Sequence, residues 1–149
     1  MKPQKILIAN GVNLDLLGQR ENDQYGSFSL SDLEDHISEF SNKFSNAFNT
    51  PVPVFDFFQS NEESAYLEKV SSSYDALILN PGAWTHTSIA LADRLRVQNA
   101  PIYEVHISNV HSRESYRKTS FVSELAVGVI CGLGMNSYTS AVAAHLLSK

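Results

Sequence analysis

The run PIYEVHI at 101–107 carries Glu104 and His106 two positions apart. On an extended chain that spacing puts a carboxylate and an imidazole on one face, which permits direct contact without requiring it. Histidine donates a proton near neutral pH, and a neighbouring carboxylate raises its pKa or orients its ring. Other polar groups gather wherever an apolar run stops: Asn10-Gly11-Val12-Asn13, Phe58-Gln59-Ser60-Asn61, Asn80-Pro81-Gly82 and His106-Ile107-Ser108-Asn109. His86, His106 and His111 lie at such ends or in loops, unlike His36 and His145, which fall within helical patterns. Arg20, Arg113 and Arg117 also stand in irregular stretches, and a guanidinium such as that of Arg117 matches a carboxylate bidentately. Amides, hydroxyls and imidazoles gathered at such run ends look like a pocket lining.

These groups need a frame to bring them together. KILIAN at 5–10 is a short continuous apolar run of the kind a buried parallel strand gives. After the polar stretch 18–29, Ser29 or Ser31 can cap a helix whose Leu33, Ile37, Phe40, Phe44 and Ala47 recur at helical spacing, and Asn49 to Pro53 ends it. VPVFDFF at 52–58 reads as a second strand, and 61–72 as a short helix with Ala65, Leu67 and Val70 inward. A third strand is DALILN at 75–80, followed by a helix over 86–99. PIYEVHI is the fourth, AVGVICG at 126–132 the fifth, and a closing helix runs from about 137 through 147. Residues 108–125 show no clean period. The alternation predicts an α/β domain over 1–149 with a parallel sheet. Ligands of such sheets sit beyond the carboxyl ends of the strands, so the four polar strand ends line one rim.

NPGAWTHTS at 80–88 is the densest part of that rim. It lies between a strand and a helix, so its backbone N–H groups are expected to face the crevice with a helix N-terminus behind them. Asn80 supplies an amide and His86 a ring, while Gly82, beside Ala83, allows close approach of backbone to ligand.

Several chemistries are excluded or disfavoured. The formal charge of −5 argues against nucleic acid, though not against a small anion, for which the local field decides. No stretch approaches a membrane span, and the N-terminus is too polar for a signal-peptide core. With one cysteine the chain forms no internal disulfide, which fits a reducing, cytoplasmic setting. Cys131 lies in an apolar strand and reads as a small buried hydrophobe. GVICGLGMNS lacks the third glycine and the distant acid of a dinucleotide fingerprint. There is no GxxxxGK[ST], no GxSxG and no metal-ligand spacing among the histidines, so no metal site is expected.

The stretches ILIANGVNLDLLGQRE (6–21) with YG (25–26), FFQSN (57–61), NPGAWTHTS, EVHISNVHSRESYR (104–117) and AVGVICGLG (126–134) resemble, in order and along essentially the whole chain, the type II 3-dehydroquinate dehydratases. The resemblance implies a flavodoxin-like three-layer sandwich with a five-stranded parallel sheet, and conversion of 3-dehydroquinate to 3-dehydroshikimate. It implies Tyr25 as the tyrosinate base at C2, Arg20 as the lid residue that keeps the phenol ionised, and His106 as general acid toward the C1 hydroxyl, with Glu104 orienting or charging its ring. Asn13 would fix a water at the enolate. Asn80, Gly82, Ala83, His86, Ile107, Ser108 and Arg117 would hold the substrate, with Arg113 at the rim in a less defined role. Asp93 would reach a neighbouring subunit's site in a dodecamer of four trimers. Pairing of Asp93 with Arg94 or Arg96 inside its own helix is expected to be geometrically poor.

The chemistry is coherent in its own terms. Loss of a hydroxyl β to a ketone needs a base, enolate stabilisation and an acid. A guanidinium beside a phenol favours phenolate. The ketone is its own electron sink, so no cofactor is needed. The chain departs from the family at Val12, Asp15, Asn22, Glu62 and Ser137, where proline, asparagine, proline, histidine and glycine are usual. Asp15 adds a carboxylate near a site meant for an anion. Two competing readings are a non-catalytic flavodoxin-like binding module and a different lyase or isomerase of polyhydroxy carboxylates. The residues do not distinguish aromatic biosynthesis from quinate breakdown.

Overall fold

A computed structural model describes residues 2–19 and 26–148. Strands β1 (Lys5–Asn10), β2 (Val54–Gln59), β3 (Ala76–Asn80), β4 (Ile102–His106) and β5 (Gly128–Cys131) form one sheet in the order β2-β1-β3-β4-β5. Every pairing is parallel. Helices α1 (Leu30–Phe48), α2 (Glu63–Val70), α3 (Ile89–Arg96) and α4 (Asn136–Leu147) cover its two faces. This is the flavodoxin-like three-layer arrangement the resemblance implied.

The apolar run of β1 alternates between two cores because successive side chains of a strand point oppositely. Ile6 and Ile8 pack with Leu33 and Ile37 of α1 and Tyr138, Ala141 and Val142 of α4. Leu7 and Ala9 pack on the other face with Tyr66 and Val70 of α2 and Leu91 and Leu95 of α3. Burying such side chains contributes about 1.5–3 kcal/mol each, which is why the strand reads as continuously apolar. Val70 of α2 is buried and Leu67 packs partly buried on the same core, as expected, and Tyr66 is buried with them, its hydroxyl donating to Ala9 O at 2.9 Å.

Helix α1 starts as expected. Ser29 Oγ accepts from Asp32 N–H at 3.1 Å, Asp32 answers on the Ser29 N–H at 2.8 Å, and Asn49 ends the helix at φ 51°. Ala47 is exposed, whereas Ser41 and Ser45 take inward positions. The third crossover differs from expectation: 82–86 form a 3₁₀ turn, and α3 begins only after Ser88, whose Oγ accepts from Leu91 N–H at 2.9 Å. Ser88 also donates to Glu63 of α2. The strand β5 is half-buried at the sheet edge, so Cys131 is half-buried too, in place of the interior position its apolar neighbours suggested. His145 is 1% exposed, and its Nε2 meets Gln4 Oε1 at 2.5 Å. His36, half-buried, bonds Asn136 Oδ1 at 2.9 Å.

Strand order reverses between β1 and β3, and there the two following turns press backbone against backbone. Gly11 N–H donates to Asn80 O at 2.8 Å. A Cβ on Gly11 would lie 2.2 Å from Pro81 O, and one on Gly82, at φ +64°, 2.7 Å from Val12 O. The close approach that Gly82 permits is therefore to the chain's own backbone.

Candidate active site

Beyond the carboxyl ends of β1, β3 and β4 a cleft of about 140 Å³ opens. Asn13, Asn80, Gly82, Ala83, His86, His106, Ile107, Ser108, Arg113 and Arg117 all line it, joined by Val12, Leu14 and Val110. Ten of the sequence-derived site residues thus converge on one space. Glu104 stands directly behind it. Arg20 and Tyr25 lie outside the described residues.

On β4, Glu104 Oε1 and His106 Nε2 are 2.6 Å apart, with side chains 2% and 7% exposed. The carboxylate is held by more than the ring. Ser120 Oγ reaches both of its oxygens at 3.0 Å, and Ser123 Oγ donates to Oε2 at 2.6 Å. Burial pushes the Glu104 carboxyl up, but the bonds from His106, Ser123 and Ser120 outweigh it and hold the group below its ordinary value. With Nε2 tied to Glu104, Nδ1 is the ring nitrogen left to serve a ligand.

The ring of His86 stacks near that of His106, with centroids 6.2 Å apart and planes at 20°. Its Nδ1 donates to Thr119 O at 2.7 Å, since a carbonyl can only accept. Burial lowers the His86 pKa most; His106 and Arg117 lower it further, against the Thr119 bond and the Glu104 charge. His86 therefore sits neutral in the cleft with Nε2 as a lone-pair acceptor.

Two guanidinia close the β4 side. Arg113 Nη1 donates to Ser108 Oγ at 3.1 Å, and Arg117 Nε to Glu114 Oε2 at 2.7 Å. Arg113 Nε is 3.6 Å from the same carboxylate oxygen. Its own backbone N–H and Arg117 hold the Glu114 carboxyl down at about 2. Both guanidinia line the cleft, and groups of this kind suit an anion.

The β1 side is shaped by amides. Asn13 takes the left-handed conformation at φ 67°, and its N–H donates to Asn61 Oδ1 at 2.7 Å. Asn61 Nδ2 in turn donates to Asp15 Oδ2 at 3.1 Å. Asp15, whose charge seemed ill placed for an anion site, is thereby engaged with the β2 loop and does not line the cleft. On the β3 side, Asn80 Nδ2 donates to Tyr138 Oη at 2.8 Å, and Asn80 Oδ1 accepts from Gly82 N–H at 3.3 Å. The N-terminus of α3 is occupied by its Ser88 cap, so the expected helix end behind NPGAWTHTS does not face a ligand directly.

Asp93 lies apart. It is on α3 with its side chain 66% exposed, and Arg96 Nη1 meets its Oδ1 at 2.8 Å. The pairing expected to be poor forms at i,i+3, because Arg96 also spans to Glu124 at 2.7 Å and is held in reach. Trp84 packs on Tyr66 with centroids 5.4 Å apart, a core contact. His111 is exposed and does not line the cleft. Among the described residues no three His, Cys, Asp or Glu side chains gather as a metal would need.

Five residues of this site gave no sequence signal: Glu114, Thr119, Ser120 and Ser123 in the aperiodic segment, and Tyr138 in the last helix. The density of hydroxyls and charges between β4 and β5 was the one available hint.

Comparison with known proteins shows the family. The family model described as dehydroquinase class II matches residues 4–146. A 3-dehydroquinate dehydratase of Methylococcus capsulatus is 48% identical over 145 residues, covering 95% of this chain and 93% of that protein. The crystal structure of a type II dehydroquinase from Butyrivibrio crossotus superposes with a TM-score of 0.84 at 35% identity, over 97% of this chain and 98% of that one. A type II dehydroquinase from Propionibacterium acnes gives 0.85 at 32% identity, over 98% and 97%.

Proposed function

The chain belongs to the class II dehydroquinase family, and on that premise we propose that it dehydrates 3-dehydroquinate to 3-dehydroshikimate by anti elimination through an enolate, with Tyr25 as base and His106 as general acid. The observation that carries this reading is the buried Glu104–His106 pair at 2.6 Å, with the His106 ring lining the cleft beside Arg113 and Arg117.

The steps follow from the groups present. The Tyr25 phenolate, kept ionised by Arg20, takes a proton from C2, and the C–H electrons pass onto the C3 ketone oxygen. Asn13 holds a water against the enolate. The enolate then re-forms the ketone as the C1–O bond breaks, and the departing oxygen takes a proton from His106 Nδ1 to leave as water. A proton on Nδ1 makes the ring an imidazolium, and Glu104 is in contact to stabilise that charge. Bonds from Ser120 and Ser123 hold the buried carboxylate beside the ring, so Glu104 is a fixed charge and not a mobile one. Arg117 and Arg113, with Ile107 and Ser108, suit the carboxylate of the substrate. Asn80 and His86 suit its hydroxyls, and Gly82 and Ala83 form the wall between them.

The whole of 1–149 acts on this reading as one catalytic domain. Asp93 completes the site of a neighbour in a dodecamer of four trimers. Its exposed position on α3 supports this, as do the exposed Val127, Val129 and Leu133 around β5. Among the described residues no helix is long and apolar enough to cross a membrane; the cytoplasmic setting belongs to the proposal. Light scattering tests the assembly: a fully active monomer would sink the shared site.

The reaction is tested by following the enone absorbance of 3-dehydroshikimate after adding 3-dehydroquinate to wild type and to Tyr25→Phe. A rise with wild type alone is expected. A rise with both would move the base elsewhere, and a rise with neither, in folded protein, would return the cleft to a binding role.

A further inference from the structure

The geometry points to a relay behind the cleft, Asn80–Tyr138–Asn10, in which two residues that line none of it fix the side chain of one that does. This rests on the function proposed above, which has Asn80 bind substrate.

Asn10 and Asn80 are register partners on the last rung of β1 and β3, where strand order reverses. Tyr138, from the first turns of α4, reaches up beneath them and is 0% exposed. Asn80 Nδ2 donates to the phenol oxygen at 2.8 Å, and the phenol donates to Asn10 Oδ1 at 2.6 Å. Neither Asn10 nor Tyr138 lines the cleft, whereas Asn80 does.

The relay has a direction. A phenol owns one proton and Asn10 Oδ1 can only accept, so the proton points to Asn10 and the oxygen lone pair faces Asn80. Asn80 must therefore present its NH₂ to Tyr138. Its Oδ1 falls on the other side, where Gly82 N–H donates to it at 3.3 Å. An asparagine standing alone in a cleft could turn its amide over and exchange donor for acceptor. Here both ends are claimed, and a ligand meets one arrangement. Burial pushes the Tyr138 phenol far above its ordinary range, against the smaller opposing effect of Asn80, so the proton that sets the direction stays in place at neutral pH. The next residue back serves the neighbouring strand: Ser137 Oγ donates to His106 O at 2.9 Å. The start of α4 is thus anchored under the ends of both β3 and β4, which is a reason for its position behind the cleft.

Tyr138 and Asn10 are positioning residues, because they act through Asn80 and touch no substrate. The test is a cycle with 3-dehydroquinate: Tyr138→Phe and Asn10→Ala, each alone and on an Asn80→Ala background. Each single change is expected to raise KM about tenfold with kcat within about twofold, as loss of an orienting bond felt equally in ground and transition states would do. On Asn80→Ala neither should raise KM by more than about twofold, since the amide they orient is gone. A KM within twofold of wild type for both single variants would overturn the relay, as would the full tenfold rise persisting without the Asn80 side chain. Should Tyr138→Phe not fold, Asn10→Ala, which keeps the phenol but removes the acceptor of its proton, carries the same test. No turnover by wild type sinks the function and the relay with it; turnover with an unmoved KM sinks the relay alone.

Discussion

Glu104 meets His106 across 2.6 Å on one face of β4, and the Ser120 and Ser123 hydroxyls hold the carboxylate. A two-residue spacing in a strand permits such contact, and the fold makes it by laying the 115–125 segment over the carboxylate. Replacing Glu104 by Gln keeps the shape but removes the charge that, on the proposed mechanism, stabilises the general acid. A fall in kcat of about a hundredfold is expected, with KM changed far less, from steady-state rates on 3-dehydroquinate. Equal loss in KM alone would assign Glu104 to binding.

The serines on that carboxylate give a second prediction, in stability. Ser120→Ala and Ser123→Ala each remove a bond to a buried charge, and each is expected to cost about 1.5–3 kcal/mol in urea unfolding. The pH dependence has a defined sign. The Glu104 pKa is depressed in the folded state, so the stability it confers is present above the ordinary carboxyl value of 4.5 and is lost as pH falls through the folded value. Without Ser120 and Ser123 the folded pKa rises. The stability lost on acidification should then be smaller in the double variant than in wild type, and the loss should be complete at a higher pH.

Much of this was legible in the sequence because it obeys simple periods. The five strands followed from short apolar runs, the helices from 3.6-residue spacing, and the cleft from polar residues at strand ends, though of the four ends expected on one rim that of β2 does not line it. The segment 108–125 was not legible, for a physical reason. Beyond its three short 3₁₀ turns it is tied to distant partners, Ser120 and Ser123 by their hydroxyls to Glu104 and Thr119 by its carbonyl to the His86 ring, and such bonds leave no period. Tyr138 is the same case at the largest distance. In an apolar helix it reads as core, and nothing local shows that its hydroxyl meets an amide 128 residues away. Asp93–Arg96 failed in the opposite way: a local rule underrated a pair that a third charge, Glu124, holds in place.

His86 predicts a pH effect of its own. Burial, with smaller contributions from His106 and Arg117, lowers its pKa in the folded state. The unfolded chain therefore binds a proton at this ring first, and stability falls as pH drops through the ordinary histidine value of 6.5 toward the folded one. His86→Asn removes that dependence. The difference in urea midpoint between about pH 7.5 and pH 5.5 should be smaller in the variant than in wild type. An unchanged difference would mean that the ring titrates alike in both states.

The junction of β1 and β3 supplies the sharpest steric test. A Cβ on Gly11 would lie 2.2 Å from Pro81 O and 2.5 Å from its carbonyl carbon, both backbone atoms with no rotamer to yield. Gly11→Ala must therefore drive the two turns apart, breaking the Gly11 N–H bond to Asn80 O and shifting Asn13 and Asn80, which lie on either side of the cleft. Overpacking of this kind costs about 1–3 kcal/mol or more, and a Tm lower by roughly 4 °C or more is expected for a chain of this size. Activity should fall with it, because the same displacement misplaces both amides. Gly128→Ala is the matched control: nothing lies within 4 Å of its Cβ position, and its Tm and kcat should stay near those of wild type. Equal effects from the two changes would show that the loss at Gly11 comes from substituting glycine as such, and not from the contact with Pro81.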